Sequence, residues 1–209
     1  NYAAGRNDLR SQYLGAYATW SQPGGVAYVD TVLQAGRHDY TAYPSRGQSS
    51  SGKGDSAIAS IEVGQGIAIA PRWTIEPQLQ LAYQHLGLDD TSIAGASIQQ
   101  DTDNGWIARV GVRIKGAFDA GPGTLQPYAR VNFYKRSSGT DITRFIGPAG
   151  STDIASQTGG TSSELALGAT WQLGQSTSLY GELGKLWDIG GDARTGSGVS
   201  GSVGVKVLW

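Results

Sequence analysis

Eight charged side chains have the spacing of groups that face water from one side of a β-sheet. They alternate with apolar residues at period two, so the charges project from one face of each strand and the apolar side chains from the other. A charge among apolar neighbours is costly unless it is paired or wet. Two interpretations stay open and are compatible: the charges pair across an aqueous lumen and rigidify its wall, or they hold a polypeptide or helix inside it. The residues are Glu62, Glu76, Arg109, Arg113, Lys115, Arg130, Glu164 and Glu182.

The two histidines are the other candidates for chemistry. His38 and His85 each close a predicted strand at the end where the connections are long, and Asp39 and Asp89 or Asp90 lie nearby. A His and an Asp at the rim of a barrel would suit a hydrolase. The two histidines belong to predicted strands that are two apart in a meander, however, so the sequence does not align them.

One segment partly matches the phosphate-binding loop motif but does not satisfy it. The stretch GQSSSGKG, residues Gly47–Gly54, has Gly54 where Ser or Thr must follow Lys53, and no helix is predicted after it. The chain has no cysteine, so it has neither a disulfide framework nor a thiolate metal site. We therefore expect no catalytic residue, no cofactor, no metal site and no enzymatic activity in this domain.

The length and composition of the chain exclude several classes of protein. The chain of 209 residues suffices for one domain, residues 1–209. Its formal net charge is −1 without a basic block, which removes the electrostatic argument for nucleic-acid binding. No apolar run reaches the roughly 18 residues of a membrane-spanning helix. Methionine and a signal peptide are missing, so we expect a processed product or a piece of a longer precursor.

Nine strands are predicted from the period-two alternation. In the fourth, Trp73, Leu79 and Tyr83 share one face, whereas Gln78 and Gln80 share the other. Segments rich in glycine, proline, serine and aspartate separate the strands. The predicted strands are residues 13–20, 26–40, 57–70, 73 to about 87, 106–118, 125–134, 164–173, 179–187 and 199–209.

The connections between these strands are sorted by length. Outer-membrane barrels have short turns on the periplasmic side and long loops outside, whereas a soluble β-sandwich has no reason to sort its loops. Strands of about ten residues, tilted about 45°, also fit an apolar band about 25 Å tall. Residues 1–10 are predicted to be a loop, and residues 139–160 have the potential to form a protruding hairpin. The short connections are 21–25, 71–72, 119–124 and 174–177, the long ones are 44–55, 88–105 and 135–161, and the connection 189–195 is intermediate in length.

Large aromatic residues mark both ends of the predicted strands on the apolar face. Two such girdles are typical of a sheet that crosses a membrane, because amphipathic rings suit the two interfaces. The sequence therefore predicts an all-β fold, a transmembrane antiparallel up-and-down β-barrel. The girdle beside the short connections is Trp20, Trp73, Phe118 and Trp171, and the girdle beside the long loops is Tyr83, Trp106, Phe133 and Trp187.

The last predicted strand ends in an aromatic residue that follows alternating apolar residues. Val203, Val205 and Val207 share the apolar face with Trp209, the final aromatic residue. A strand of this kind resembles the C-terminal signal that the outer-membrane barrel assembly machinery reads. We expect these four residues to serve as that signal.

An ordered set of segments resembles the translocator (β-barrel) domain of autotransporters, of the pertactin and BrkA type. The resemblance covers nearly the whole chain. It implies an outer-membrane protein of a Gram-negative bacterium that exports an attached N-terminal passenger to the cell surface, which is type V secretion. The segments are SQYLGAYATW, VDTVLQAGRHDY, WTIEPQLQLAYQ, LQPYARVNFY, TSLYGELGKLWD and VGVKVLW.

The resemblance also implies an architecture and partners. The family has a twelve-stranded barrel with an N-terminal helix in the lumen. The implied partners are outer-membrane lipid and lipopolysaccharide, the barrel assembly machinery, and the chain's own passenger and linker helix, with the barrel as a monomer. Some members cut the passenger free inside the pore at an Asn with the help of lumen acids, for which Glu62 and Glu76 are the candidates here.

The number of predicted strands bears on whether they form a complete barrel. Nine is odd, whereas single-chain bacterial barrels have an even number of strands. With Trp209 at the periplasmic end, Asn1 would lie outside, so we expect three strands and the helix to precede Asn1. Two other functions remain open: a diffusion pore that conducts ions without a passenger, and an outer-membrane hydrolase with His38 or His85 at the rim.

Overall fold

The computed structural model describes residues 5–24, 26–43, 47–93, 95–102, 104–174, 176–193 and 196–207. These residues form an antiparallel all-β structure, as predicted. No helix among them is long and apolar enough to cross a membrane. The strands are β1 (Arg6–Ser21), β2 (Ala27–Tyr43), β3 (Ser50–Gln65), β4 (Ile67–Ala70), β5 (Trp73–Leu88), β6 (Thr91–Ile93), β7 (Ala96–Asp101), β8 (Gly105–Gly116), β9 (Phe118–Ala120), β10 (Gly123–Gly147), β11 (Gly150–Gln172), β12 (Thr177–Gly190) and β13 (Gly198–Val207).

Nine long strands form one meander in the described part of the chain. Their order is β1-β2-β3-β5-β8-β10-β11-β12-β13, so each pairs with its neighbour in sequence or across a short hairpin. The nine correspond to the nine predicted strands. β1 and β13 are the two edges of the sheet. At one end of the sheet the connections are short, with Ala70 close to Trp73 and Ala120 close to Gly123.

Several strands are longer than the sequence predicted. β1 begins at Arg6, inside the predicted loop 1–10, because its first residues pair with the end of β2, for example Arg10 with Asp39. β3 likewise begins at Ser50, inside the predicted loop 44–55. Backbone hydrogen bonds sustain these extensions and need no apolar side chains, so the alternation that revealed the strands disappears before the strands end.

The predicted hairpin at residues 139–160 is confirmed. β10 and β11 stay paired from Thr124 with Gln172 out to Gly147 with Gly150, with one irregularity between Arg136 and Gly139. The predicted loop 88–105 also contains structure, the hairpin β6–β7. β7 pairs with the outer part of β10, so the sheet continues beyond the ends of β5 and β8.

An exposed ion pair joins the two strands of the protruding hairpin. Arg144 donates from Nε and Nη2 to the two carboxylate oxygens of Asp153, at 2.7 and 2.8 Å. These hydrogen bonds lower the pKa of Asp153 below its ordinary value. The pair therefore stabilises the hairpin at neutral pH, and its contribution is lost as the pH falls through the lowered pKa.

We expect the carboxyl carbon of Asp153 to titrate in NMR spectra at a lower pH than an ordinary Asp, and to return to the ordinary range in Arg144→Gln. The reason is that the guanidinium stabilises the carboxylate. A titration that is the same in both proteins would show that the pair does not form in solution.

The burial pattern is inverted relative to a soluble domain. Among the described residues, only Ile98 and Ala166 are buried hydrophobic residues. Large apolar side chains such as Leu14, Leu167 and Val203 are instead exposed, at 82%, 58% and 87%. Soluble monomers rarely expose contiguous apolar surfaces of this extent. The buried polar or charged residues are Ser50, Glu76, Gln78, Arg109 and Asn132.

Candidate functional site: a polar network on the concave face

The polar faces of the strands converge on one side of the sheet. Adjacent strands lie about 4.8 Å apart, so contacts that skip a strand need a side where side chains lean together. Several hydrogen bonds do skip a strand, so this face is concave and the sheet is curled around it. Examples are Arg109 to Glu62 across β5 at 2.7 Å, Gln78 to Tyr28 across β3 at 2.9 Å, and Tyr128 to Glu182 across β11 at 2.6 Å.

Glu76 is the most buried acid of this face. It is 3% exposed and lies between two cations, with Arg113 Nη2 at 2.5 Å and Lys115 Nζ at 2.7 Å. The side-chain amide of Gln78 donates to the same carboxylate at 2.7 Å. Strand β5 positions Glu76 opposite Arg113 of β8 in the sheet register. The carboxylate is thus fully partnered despite its burial, as a buried charge must be.

Arg109 connects the two halves of the network. Its guanidinium donates to Glu62 and to the side chains of Gln78 and Gln80, and also to Asn132 Oδ1 at 3.0 Å. Because a guanidinium has five donors in one plane, it can bind these four partners on three strands. Arg109 is 8% exposed.

Asn132 continues the network into the second half of the sheet. It is 1% exposed and donates to Glu164 at 2.8 Å. Arg130 joins Glu164, at 3.4 Å, to Glu182, at 2.8 Å. Tyr134 donates to Glu164 at 2.7 Å. All eight charges predicted to face the lumen therefore belong to one continuous network.

The alternation in the sequence places the uncharged connecting residues on the polar face, but it does not mark them as members of a network. Tyr28, Gln78, Asn132, Tyr128 and Tyr134 carry no charge, and their only signal was their position in the alternation. They are needed because only some of the charges on alternate strands are close enough to touch, and the uncharged side chains connect the others. The four acids and four cations of the network balance in charge. Two buried atoms of the network, Arg113 Nε and Arg130 Nε, have no hydrogen-bond partner among the described residues, and the same holds for Oδ1 of Asp30, which is not a member of the network.

Close approach of the strands on this face relies on glycine. Five tyrosines lie over glycines directly opposite them on the neighbouring strand, and a side chain in place of these glycines would collide with the rings. The rings thus cover the backbone of the wall, and the hydroxyl groups of Tyr28 and Tyr128 also bind acids of the network. The pairs are Tyr13–Gly36, Tyr28–Gly64, Tyr40–Gly52, Tyr128–Gly168 and Tyr180–Gly204.

Replacing Gly111 by Ala should destabilise the protein by about 1–2 kcal/mol, because the added methyl group overlaps the Asn132 side-chain oxygen. Asn132 cannot move away without giving up Arg109 or Glu164. The measurement is the urea midpoint of unfolding. The matched control is Gly181→Ala, where the nearest atom outside the chain neighbours is Ser202 O at 3.8 Å. Equal midpoints for both variants would contradict the prediction.

The predicted girdle residues lie on the convex face. Trp73 packs edge-on against Phe118, with ring centroids 5.5 Å apart, and Tyr83 lies 4.9 Å from Trp106. Trp171 Nε1 donates to the carbonyl oxygen of Ala120 at 3.1 Å. Their role at membrane interfaces stays a prediction. The remaining members, all exposed, are Trp20, Phe133 and Trp187.

The predicted assembly signal is only partly within the described residues. Val203, Val205 and Val207 are exposed on β13, which is an edge of the sheet. Trp209 lies outside the described residues. The role of the four residues remains a prediction.

The two histidines lie on opposite faces. His38 is on the concave side, where its ring nitrogens are each 2.8 Å from a serine hydroxyl, Nδ1 from Ser11 and Nε2 from Ser56. His85 is on the convex side, 3.4 Å from Asp55. The structure therefore does not bring them together. No group of three or more His, Cys, Asp or Glu residues able to hold a metal ion occurs in the described part of the chain.

A wall with an apolar convex face and a charged, hydrogen-bonded concave face defines a class of protein. The outer surface suits lipid and the inner surface suits water, which is the arrangement of a transmembrane β-barrel. The comparison with known proteins agrees with this class. The autotransporter β-domain family model matches residues 1–184. The chain belongs to the autotransporter β-domain family.

Curated relatives and solved structures support the same assignment. The pertactin autotransporter of Bordetella bronchiseptica is 31% identical over 176 residues, which is 81% of this chain and 19% of that protein. The β-domain of the Bordetella autotransporter BrkA has a TM-score of 0.66 at 20% identity, covering 97% of this chain and 75% of that one. The transport unit of AIDA-I from Escherichia coli has a TM-score of 0.72 at 19% identity, covering 98% and 68%. The two structures show the fold.

Family membership has direct consequences. Autotransporter β-domains are outer-membrane barrel proteins of Gram-negative bacteria and act as translocators in type V secretion. They are not enzymes by themselves, and they imply an attached passenger domain. The chain spans about a fifth of the length of the pertactin proteins that it matches.

Proposed function

We propose that this chain inserts into the outer membrane as a barrel wall and lets an attached N-terminal passenger reach the cell surface. The observation that carries the proposal is the continuous network from Glu76 to Glu182 on the concave face. A lumen lined in this way is polar, rigid and close to neutral, so an extended polypeptide can pass or rest in it without meeting a strong field of one sign.

We further propose that the barrel is completed by strands and a lumen helix that precede Asn1. The support is physical: β1 and β13 each have one side without a strand partner in the described structure, and open edges are hazardous unless paired. Three more strands would give an even number and close the sheet. A closed barrel would leave no such edges in the membrane.

Assembly and partners follow from the same proposal. The barrel assembly machinery would recognise Val203, Val205, Val207 and Trp209, and the finished barrel would be a monomer in contact with outer-membrane lipid and lipopolysaccharide.

Removing Trp209 should reduce the amount of barrel in the membrane fraction, because the terminal aromatic is part of the signal. The measurement is heat-modifiable gel mobility, and unchanged mobility and amount would contradict this role.

We also propose which acids would act if the passenger junction is cut inside the lumen. Glu62 and Glu76 lie on the concave face, where a threaded chain would pass. Both already hold cations of the wall. Cleavage of an intact precursor that is unchanged in Glu62→Gln would remove Glu62 from this role.

The test of the export function uses the intact precursor in a Gram-negative cell. Protease is added to whole cells, and the segment upstream of Asn1 is followed separately from the barrel. Digestion of the upstream segment with survival of a heat-modifiable barrel supports export. An upstream segment that stays protected, with steady ion conductance in planar bilayers, would favour a diffusion pore instead. Substrate turnover lost in His38→Ala or His85→Ala would favour a hydrolase.

A further inference from the structure

Two cavities open on the concave face beyond the polar network, toward the end of the sheet where the long connections lie. The first has a volume of about 310 Å³, and Ile58 of β3 and Leu86 of β5 line it. The second has a volume of about 480 Å³, and Ile107 of β8 and Leu186 of β12 line it. Arg136 of β10 lines both, so the two cavities are neighbours.

The apolar residues of these cavities face the lumen rather than lipid. Ile107 lies two residues from Arg109 on β8 and pairs with Arg136 of β10. Leu86 pairs with Ser56, which lies on the concave face and binds a histidine there. Leu86 is 42% exposed. A binding partner that covered these side chains would gain the free energy of their burial, whereas water in the lumen gives none.

The polar network offers a bound segment much less. Its charges hold one another, as Glu76 holds Arg113 and Lys115. A segment that bound to these groups would have to displace their partners, and breaking a buried ion pair is strongly unfavourable. Of the two roles open to the lumen charges, the geometry therefore favours a rigid wall, and attachment is left to the two cavities.

Arg136 separates the cavities and is itself unpaired. Its side chain forms no ion pair or hydrogen bond within the described residues. The acids on this part of the wall are engaged elsewhere. Glu164 belongs to the network, Asp188 accepts from the backbone nitrogen of Gly190 at 3.3 Å, and Asp141 also has a partner. Because these acids would repel a further carboxylate, an uncharged oxygen such as a carbonyl suits Arg136 better.

We propose that the two cavities dock the segment that joins the passenger to the barrel, through an apolar side chain in each cavity and an uncharged acceptor for Arg136. This rests on the proposed function, which places that segment in the lumen. The family implies an attached passenger, and the chain spans 19% of the pertactin protein that it matches. A helix is about 10–12 Å wide. The cavities lie roughly 10 Å apart, about two strand spacings, so one helix can reach both and close the pore beside them.

The first test measures the conductance of the intact precursor in planar bilayers. Leu86→Gln/Ile107→Gln should raise the fraction of time that the pore is open by about tenfold, because the segment loses an apolar contact in each cavity. Arg136→Met should raise it about threefold through the loss of a hydrogen bond. The matched control is Val32→Gln, which changes an apolar residue of the same face outside both cavities and should leave gating unchanged. Equal opening by Val32→Gln would overturn the proposal.

Disulfide trapping identifies the occupant. The chain has no cysteine, so Ser162→Cys in the second cavity can be combined with single cysteines along the segment upstream of Asn1. Cross-links should recur every three or four positions, as on one face of a helix, and should disappear in Leu86→Gln/Ile107→Gln. Cross-links that persist in that variant, or none in the parent protein, would overturn the assignment. A pore that stays closed after the upstream segment is removed would also overturn it.

Two further measurements keep the outcomes separate. Heat-modifiable mobility reports folding, and if the double variant does not fold, Leu86→Ala and Ile107→Ala are measured singly and should each raise the open fraction about threefold. Protease accessibility of the passenger in whole cells reports export. Normal export with unchanged gating in the double variant overturns the docking alone, whereas failed export by the parent protein overturns the proposed function.

Discussion

Replacing Leu33 by Arg should destabilise the membrane-embedded protein by about 2–4 kcal/mol, the cost of an arginine on the lipid face near the middle of a barrel strand. Leu33 is 56% exposed on the convex side of β2 and lies opposite Ala16 and Ala59 on its two neighbouring strands. If that face met water, the same substitution would cost almost nothing, because an exposed leucine has little burial to lose.

Val32→Arg is the matched control. Val32 is adjacent in sequence, also apolar and 39% exposed, but it projects to the concave face. An arginine there would face the polar lumen and should change stability by less than about 1 kcal/mol. The measurement is urea unfolding of both variants in phosphatidylcholine vesicles, followed by heat-modifiable mobility. Equal losses, or a greater loss for Val32→Arg, would mean that the assignment of the two faces is wrong.

Glu76→Gln should lower the free energy of unfolding by about 3 kcal/mol. The carboxylate neutralises Arg113 and Lys115 at once, and breaking a buried pair by removing one partner typically costs about 3–5 kcal/mol. The lower end applies because the two cations are partly exposed, at 34% and 43% of their side chains. Glutamine keeps the shape of the side chain, so the loss reports the charge rather than packing.

The control for Glu76→Gln is an acid of an exposed pair. Asp119 lies 3.4 Å from Arg72 with 90% of its side chain exposed, so Asp119→Asn should cost less than about 1 kcal/mol. The measurement is the urea midpoint of unfolding of each variant, Glu76→Gln and Asp119→Asn, in the same vesicles. If Glu76→Gln unfolds at the same urea concentration as Asp119→Asn, the network does not stabilise the wall, and its role would be restricted to contact with the passenger.

The extensions of the strands show where sequence patterns lose their information. Loop was predicted for residues 135–161, yet β10 and β11 continue as a hairpin through them and recruit β7 as a third strand. Outside an apolar environment neither face of a strand must be apolar, so alternation has no physical cause there. What holds these segments is backbone pairing with a partner far away in sequence, and a partner of that kind leaves no local signal.

Which side chains share a face can be read from the alternation of residue types. Period two is a property of the extended backbone, so the opposite parities of Glu76 and Trp73, or of Arg109 and Trp106, follow from alternation alone. Which of these side chains touch depends on how the strands are arranged in space. Curvature brings Arg109 to Glu62 across an intervening strand, and burial makes the uncharged Asn132 the link between two sets of charges. Register and curvature depend on all nine strands together, and no short stretch of sequence records them.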